Sequence, residues 1–242
     1  MKALILAAGI GQRLKSNLPK ILLKVGKKSL LERHYENLIE LNVKNIGIVI
    51  GYKSQVIKKY IKKIDKGKNI TIFQNKKYKN GSIVSFITAG SFIMKKGNML
   101  LMDGDVFYDK KILQKLVNSK KKNCLLIDKN FEKGVEPVKV CIKKKIITDF
   151  GKIVDNKDND IQSESVGFFK FTNKLSAKLL FEAKKMMLKN PNYMYEDVIQ
   201  KMIKEKKIKL DFENITNLPW IEIDYKKDLK KARKNILKKI ND

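Results

Sequence analysis

The sequence predicts an α/β fold built on a mostly parallel, mixed sheet. Short continuous apolar runs, at residues 3–8, 46–50, 99–102 and 124–127, suit strands buried on both faces. Amphipathic stretches of helical period separate them in the first half of the chain. The 242 residues are 43% apolar, enough to cover such a sheet with a sizeable core. No apolar run reaches the roughly 18 residues of a membrane span.

The elements follow in order. Residues 3–8 (ALILAA) form the first strand, which leads directly into a glycine-rich loop with no small-residue cleavage motif. It therefore reads as a core strand rather than a signal peptide. Ser29 with Glu32 three positions on makes a capping box for a helix whose Leu31, Tyr35, Leu38 and Ile39 share a face. Residues 46–50 form a strand ending at Gly51, and Ser54 is placed as the cap of a helix with Val56, Ile57, Tyr60, Ile61 and Ile64 apolar. A strand at 70–73, a helix at 82–92 and a strand at 99–102 follow, the last stopping at Asp103-Gly104-Asp105. Asp109 caps a short helix ahead of the strand at 124–127. The second half has strands at 138–142, 146–150 and 166–171 with no helices between them. Helices from Asn173 to about 189 and over about 195–204 come next, then a strand at 220–224 and a lysine-rich amphipathic tail from Lys226. With no repeat and no Pro/Gly/Ser-rich linker, a single domain over 1–242 is expected.

Charge and composition narrow the function. The chain has 54 basic and 25 acidic residues, a formal charge of +29. A basic nucleic-acid-binding protein is the first reading of such a charge. Only Arg13, Arg33 and Arg233 are arginines, however, and base-edge and bidentate phosphate recognition favour arginine. Lysines run along the whole chain without clustered aromatics, so most of the excess reads as solvated surface. A positive field still draws small anionic substrates. Cys124 and Cys141 are the only cysteines and His34 the only histidine, which excludes a disulfide framework, a Cys/His zinc site and a histidine-based triad. A cytoplasmic location is the default expectation.

The loop Ala7-Ala8-Gly9-Ile10-Gly11-Gln12-Arg13-Leu14 directly follows the first strand. Glycines let the backbone turn sharply and present N–H groups to phosphate oxygens. Arg13 adds a charged fork, and Lys20, after Pro19, a compact ammonium. Leu14 stands where a dinucleotide fingerprint has its third glycine, so that motif is absent, and the loop is not a P-loop.

LILAAGIGQRL followed by LPKILLKVGKKSLLE resembles the signature of the sugar-phosphate nucleotidyltransferase superfamily. The likeness continues through VKNIGIVIGY, FQNKKYKNGSIVSF, LLMDGDVFYD, ESVGFFKF, YEDVIQKMI and PWIEIDYKKDLKKAR, nearly the whole chain. The short chain and the WIEID ending are most similar to bacterial choline-phosphate cytidylyltransferases and their relatives, which act on 2-aminoethylphosphonate, phosphoglutamine or inositol phosphate. The resemblance implies a Rossmann-like three-layer fold of GT-A-like type, with a nucleotide-binding half at 1–130 and an acceptor-binding half at 131–242. It implies that a phosphate or phosphonate oxygen of the acceptor attacks the α-phosphorus of CTP in line and releases pyrophosphate. That oxygen is already anionic, so positioning and charge neutralisation carry the catalysis and no general base is needed. Products of this kind feed surface glycans, such as a capsule, or lipids.

Residue roles follow from the same resemblance. Arg13 and Lys20 hold the triphosphate. Leu6, Ala7, Ala8, Gly9 and Gly11 form the nucleotide turn, with Asn80, Gly81 and Ser82 along the base and Asp103 as a helper. Asp105 and Asp224 correspond to carboxylates that bind Mg²⁺, a cation suited to one or two carboxylates plus phosphates and waters. Glu222, two residues before Asp224 on the same strand face, is a reserve ligand. Glu164, Tyr195, Glu196 and Asp197 belong to the acceptor, whose cationic head group an aromatic and carboxylates would suit, with Trp220 a further wall. Lys139 is placed on the acceptor's phosphate. The short loop between Arg13 and Lys20 is a departure: it is also similar to the N-acetylglucosamine-1-phosphate uridylyltransferase type. A UTP- or dTTP-dependent sugar-1-phosphate nucleotidyltransferase is therefore the enzyme alternative.

Overall fold

A computed structural model describes residues 1–14, 16–131, 137–155 and 159–240. Its elements in chain order are β1 (Lys2–Ala7), β2 (Lys24–Val25), β3 (Lys28–Ser29), α1 (Leu30–Glu40), β4 (Asn45–Ile50), α2 (Ser54–Ile64), β5 (Ile70–Gln74), α3 (Ser82–Thr88), α4 (Gly90–Met94), β6 (Met99–Asp103), β7 (Val106–Tyr108), α5 (Lys110–Asn118) and β8 (Cys124–Asp128). Then come β9 (Lys139–Lys143), β10 (Ile146–Gly151), β11 (Ile161–Phe171), α6 (Asn173–Lys189), α7 (Tyr195–Lys204), β12 (Asp211–Asn214), β13 (Trp220–Glu222) and α8 (Lys226–Lys231).

One sheet runs β10-β9-β11-β6-β1-β4-β5, and β8 joins β11 to β12. The strands β6, β1, β4 and β5 are parallel, as the alternation of buried strands and helices predicts. The second half adds antiparallel strands: β11 runs against β6, β8 and β9, and β9 against β10. Helices cover both faces. Alternation along β1 sends Ala3 and Ile5 to one core, with Leu31, Leu38, Ile57, Ile61 and Leu113, and sends Leu4 to the other, with Phe86, Phe92, Leu179 and Val198.

The capping box at α1 is formed as expected: the Glu32 N–H donates to Ser29 Oγ at 3.1 Å, and the Ser29 N–H to Glu32 Oε2 at 2.7 Å. Ser29→Ala should cost about 1 kcal/mol by urea unfolding, with turnover unchanged. Several local expectations are corrected. Ser54 is the first residue of α2 and not its cap, because Lys53 takes a left-handed backbone (φ 46°) and the Ser54 hydroxyl accepts from Gln74. The helix expected over 82–92 breaks at Ala89 into α3 and α4, just before Gly90, a weak helix former. α6 begins at Asn173 as expected, with Thr172 as its cap. The strand expected over 220–224 ends at Glu222, and β7 and β12 are additional.

Candidate active site

Parallel pairing sets Leu6 of β1 beside Asp103 of β6, so the loops after both strands leave the same edge of the sheet. That edge is where open α/β sheets bind ligands. The Gly104 N–H donates to the Leu6 carbonyl at 3.0 Å, which ties the Asp103-Gly104-Asp105 turn to the end of β1. The glycine-rich turn then folds back over Lys20. Gly11 has φ +65°, and a Cβ there would lie 2.8 Å from Lys20 Cγ, so a larger residue is both strained and crowded. A Cβ on Gly9 would meet no protein atom within 4 Å. The turn faces a cleft of about 340 Å³ lined by Leu6, Ala7, Gly9, Gly11, Arg13, Lys20, Tyr78, Lys79, Asp105 and Asp224.

The carboxylates reach the cleft from opposite ends of the chain. β13 pairs antiparallel with β7, and the Ile223 N–H donates to the Asp105 carbonyl at 3.0 Å. This register brings ligand oxygens of Asp105, Glu222 and Asp224 within 4.8 Å of one another. Lys20 Nζ sits 3.1 Å from Asp105 Oδ2 and also donates to Asp224 Oδ1. Arg13 lies 3.5 Å from Asp224 Oδ2, donates to the Tyr225 hydroxyl at 3.1 Å and covers the Tyr225 ring at 5.3 Å. Burial opposes a charge on Lys20, but Asp105 and Asp224 outweigh it and raise its pKa above the ordinary lysine value. Glu222 shifts the other way: although the residue is exposed at the cleft edge, partial desolvation of its carboxyl, then Asp105 and Asp224, push it above the usual range. Three convergent oxygen donors fit a hard divalent cation such as Mg²⁺, and Lys20 seated among them marks the place as one that holds positive charge.

His34 supports this turn from α1. A carbonyl only accepts, so Nε2–H donates to the Gly104 oxygen (3.3 Å) and Nδ1 accepts from the Tyr108 hydroxyl (3.3 Å). Full burial lowers its pKa from 6.5 to about 4. The unfolded chain therefore binds a proton that the folded one refuses. The neutral-His contribution is complete above about pH 6.5 and is lost as pH falls toward 4, by up to about 3 kcal/mol. Urea unfolding at pH 7 and pH 4.5 should show a smaller acid loss for His34→Asn than for the natural chain. Equal losses would contradict this.

The other residues named from the sequence fall into separate places. Ala8 is buried, and its carbonyl accepts from the Tyr52 N–H. Tyr78 and Lys79 line the cleft, whereas Gly81 and Ser82 face the 190–197 segment: the Gly81 N–H donates to Pro191 O, and Ser82 Oγ accepts from the Tyr195 N–H and donates to Glu196. The Asn80 N–H closes a turn on Lys77 O. Asp103 accepts from the Tyr195 hydroxyl at 2.8 Å, and burial, then Glu196 and Asp105, raise its pKa well above the carboxylate range. Burial likewise pushes Glu196 up to about 7. Asp197 accepts from the Met194 N–H and closes the first turn of α7. Glu164 lines a second, wider cleft of about 870 Å³ with Trp220, Glu222, Asp224 and Tyr225. Lys139 sits opposite Glu164 in the β9–β11 ladder, and its ammonium donates to the Lys152 carbonyl at 2.8 Å.

Comparison with known proteins decides the family. Residues 3–163 match the MobA-like NTP transferase domain. The chain belongs to this family. This NTP transferase is 27% identical to the CTP:phosphoglutamine cytidylyltransferase of Campylobacter jejuni over 95% of its own length and 98% of that enzyme's. It is 34% identical to the bifunctional protein GlmU of Clostridium botulinum over 104 residues, which span 43% of this chain and 22% of that protein. Among solved structures, the inositol-1-phosphate CTP transferase of T. maritima superposes with a TM-score of 0.77 at 20% identity, covering 97% of both chains. The CTP:phosphocholine cytidylyltransferase of Streptococcus pneumoniae superposes with a TM-score of 0.77 at 20% identity, covering 96% of this chain and 97% of that one. The NTP transferase thus has the Rossmann-like nucleotidyltransferase fold expected of it.

Sequence reading missed several residues at this site. Tyr225 follows Asp224 directly, and its aromatic ring beside a carboxylate was the available signal. Tyr78 is held against the turn by Gly51, where a Cβ would come within 2.4 Å of Tyr78 Cβ. It lies within FQNKKYKNGSIVSF, a segment that carries the resemblance, but residue type alone does not single it out. Asp128, at the end of β8, accepts from Trp220 Nε1 at 2.8 Å and fixes that ring in the wide cleft.

Proposed function

We propose that this nucleotidyltransferase joins CMP from CTP to a small phosphorylated acceptor with release of pyrophosphate, in the presence of Mg²⁺. The observation that carries the reading is the meeting of the glycine turn, Lys20, Arg13 and the carboxylates of Asp105 and Asp224 in one cleft. CTP is supported by likeness to a CTP-dependent cytidylyltransferase over nearly the full length of both chains.

The roles divide by charge. Backbone N–H groups at Gly9 and Gly11, with Lys20 and Arg13, hold the triphosphate and neutralise charge that develops in the transition state. Asp105 and Asp224, with Glu222 in reach, would hold Mg²⁺, which would supply the neutralisation that an anionic acceptor needs to approach an anionic nucleotide. Tyr78 and Lys79 flank the place of the base, with Asn80 in the turn beside them, Gly81 bonded to Pro191 and Ser82 to the start of α7. The acceptor enters from the wide cleft, where Glu164, Trp220 and Tyr225 suit an amine-bearing head group by ion pairing and cation–π contact. Asp103 and Tyr195 are joined by a hydrogen bond, with the Glu196 carboxylate acting on Asp103 beside them. The reaction belongs in the cytoplasm, where CTP is made, and its product would serve surface-glycan or lipid synthesis.

The test is pyrophosphate release from CTP, UTP, dTTP, ATP and GTP, each with phosphocholine, 2-aminoethylphosphonate, phosphorylated glutamine and sugar-1-phosphates. CTP with an amine-bearing acceptor is expected to give the signal. The local match to GlmU supports the second reading, which turnover with UTP or dTTP and a sugar-1-phosphate alone would select.

A further inference from the structure

The two cations meant for the phosphates are both engaged with Asp224. Lys20 bridges Asp105 and Asp224, and Arg13 approaches the other oxygen of Asp224. Lys20 and Arg13 supply two positive charges to Asp105 and Asp224, the two acids they touch, with Glu222 the third carboxyl group of the cluster. A divalent cation on the same carboxylates would supply the same charge alone and release both side chains. We propose that Lys20 and Arg13 are exchangeable counter-ions: they neutralise Asp105 and Asp224 before the nucleotide arrives, and transfer to the triphosphate when a divalent cation takes the carboxylates.

Two features make the exchange short. Lys20 runs beneath the glycine turn, its Cγ, Cε and Cδ lying 2.8, 3.3 and 3.5 Å from the place of a Gly11 Cβ. Its stem therefore packs against the turn while its ammonium reaches the acids, so rotation of the side chain would carry the ammonium from the acids toward the turn. Arg13 lies in the helical turn Gln12–Leu14, and its side chain is 47% exposed, so its contacts with Asp224 and Tyr225 lie at the rim of the cleft, where rotation would exchange them for a phosphate. A divalent cation and the Lys20 ammonium cannot share the carboxylates, because like charges a few ångströms apart in a partly enclosed cleft repel strongly. The free enzyme should thus bind metal weakly, and metal and nucleotide should bind with positive, reciprocal coupling.

The part concerning nucleotide rests on the nucleotidyltransfer reading, and the metal part does not. The probe is Mn²⁺ alone, with free Mn²⁺ read by electron paramagnetic resonance. Lys20→Met should bind Mn²⁺ roughly tenfold more tightly than the natural chain, within the ordinary range of coupling between sites. Unchanged or weaker binding would overturn the proposal. If Lys20→Met does not fold, the natural chain gives the answer by amine acetylation and mass spectrometry. Mn²⁺ alone should increase labelling of Lys20, and labelling that stays constant would overturn the proposal. A third arm adds CTP with Mn²⁺ to the natural chain. Tightened Mn²⁺ binding supports the transfer to phosphate. Its absence, alongside tighter metal binding by Lys20→Met, keeps the exchange at the carboxylates and counts against the nucleotide reading.

Discussion

Asp105→Asn is expected to lower turnover by roughly a thousandfold, the scale seen when one electrostatic group in a preorganised site is removed. The amide keeps the shape and size of the side chain, and the backbone bond from Ile223 to the residue 105 carbonyl is untouched. What disappears is one negative charge from a group of three carboxylates within 4.8 Å. Lys20 then keeps Asp224 as its anionic partner, and relief of repulsion among the acids offsets the loss of the ion pair. The melting temperature should therefore move little while activity collapses. Pyrophosphate release with the acceptor identified by the substrate panel, beside thermal melting by circular dichroism, separates the two. Activity within tenfold of the natural chain would remove Asp105 from the chemistry.

Gly81→Ala should be the most damaging single-methyl change to the fold. A Cβ at this position would lie 2.0 Å from the Tyr193 carbonyl oxygen and 2.4 Å from that of Asn192. Both obstacles are backbone, so no flexible side chain can swing away. The start of α3 is also bonded to that loop, through the Gly81 N–H to Pro191 O and the Ile83 N–H to Tyr193 O. Relief requires separating the two segments, with a loss of about 3 kcal/mol as for an overpacked core. The change would also reach the site, because Ser82 holds the first residue of α7 and Tyr78 and Lys79 line the nucleotide cleft just upstream. Urea unfolding should show the loss directly. A shift below about 0.5 kcal/mol, as at an ordinary surface position, would mean that the contact is loose.

The fold was legible wherever one physical signal dominated. Continuous apolar runs marked β1, β4, β6 and β8, and the Ser29–Glu32 box fixed the start of α1. α7 spans the expected stretch, because Val198, Ile199, Met202 and Ile203 repeat at helical spacing. β12 escaped notice because its DFEN sequence has one apolar residue and gains its order from pairing beside β8. β7 is three residues long and exists through its partner β13. Lys53 shows the limit of capping rules: its left-handed backbone, and not Ser54, begins α2.

The site divides in the same way. Residue type marked Gly9, Gly11, Arg13 and Lys20, and the family resemblance pointed to Asp105 and Asp224; all six line one cleft. They are close in sequence or lie at the ends of strands, and strand ends are predictable. The acceptor side was harder, because Glu164 and the Trp220–Tyr225 segment come from distant parts of the chain and meet only in the folded cleft. Tyr195 was named for its resemblance to a binding segment, but its hydroxyl is engaged with Asp103. His34 carried no site signal, since its partners Gly104 and Tyr108 are about seventy positions away.

The most direct measurement uses CTP labelled at its α-phosphorus, in a single turnover with the amine-bearing acceptor chosen by the panel. Label should pass wholly into the acceptor conjugate with one pyrophosphate per transfer, and Asp105→Asn and Asp224→Asn should both stop it. Label appearing as CDP or free CMP, or transfer that persists in both variants, would contradict a single cleft in which the glycine turn and these two carboxylates act on one nucleotide.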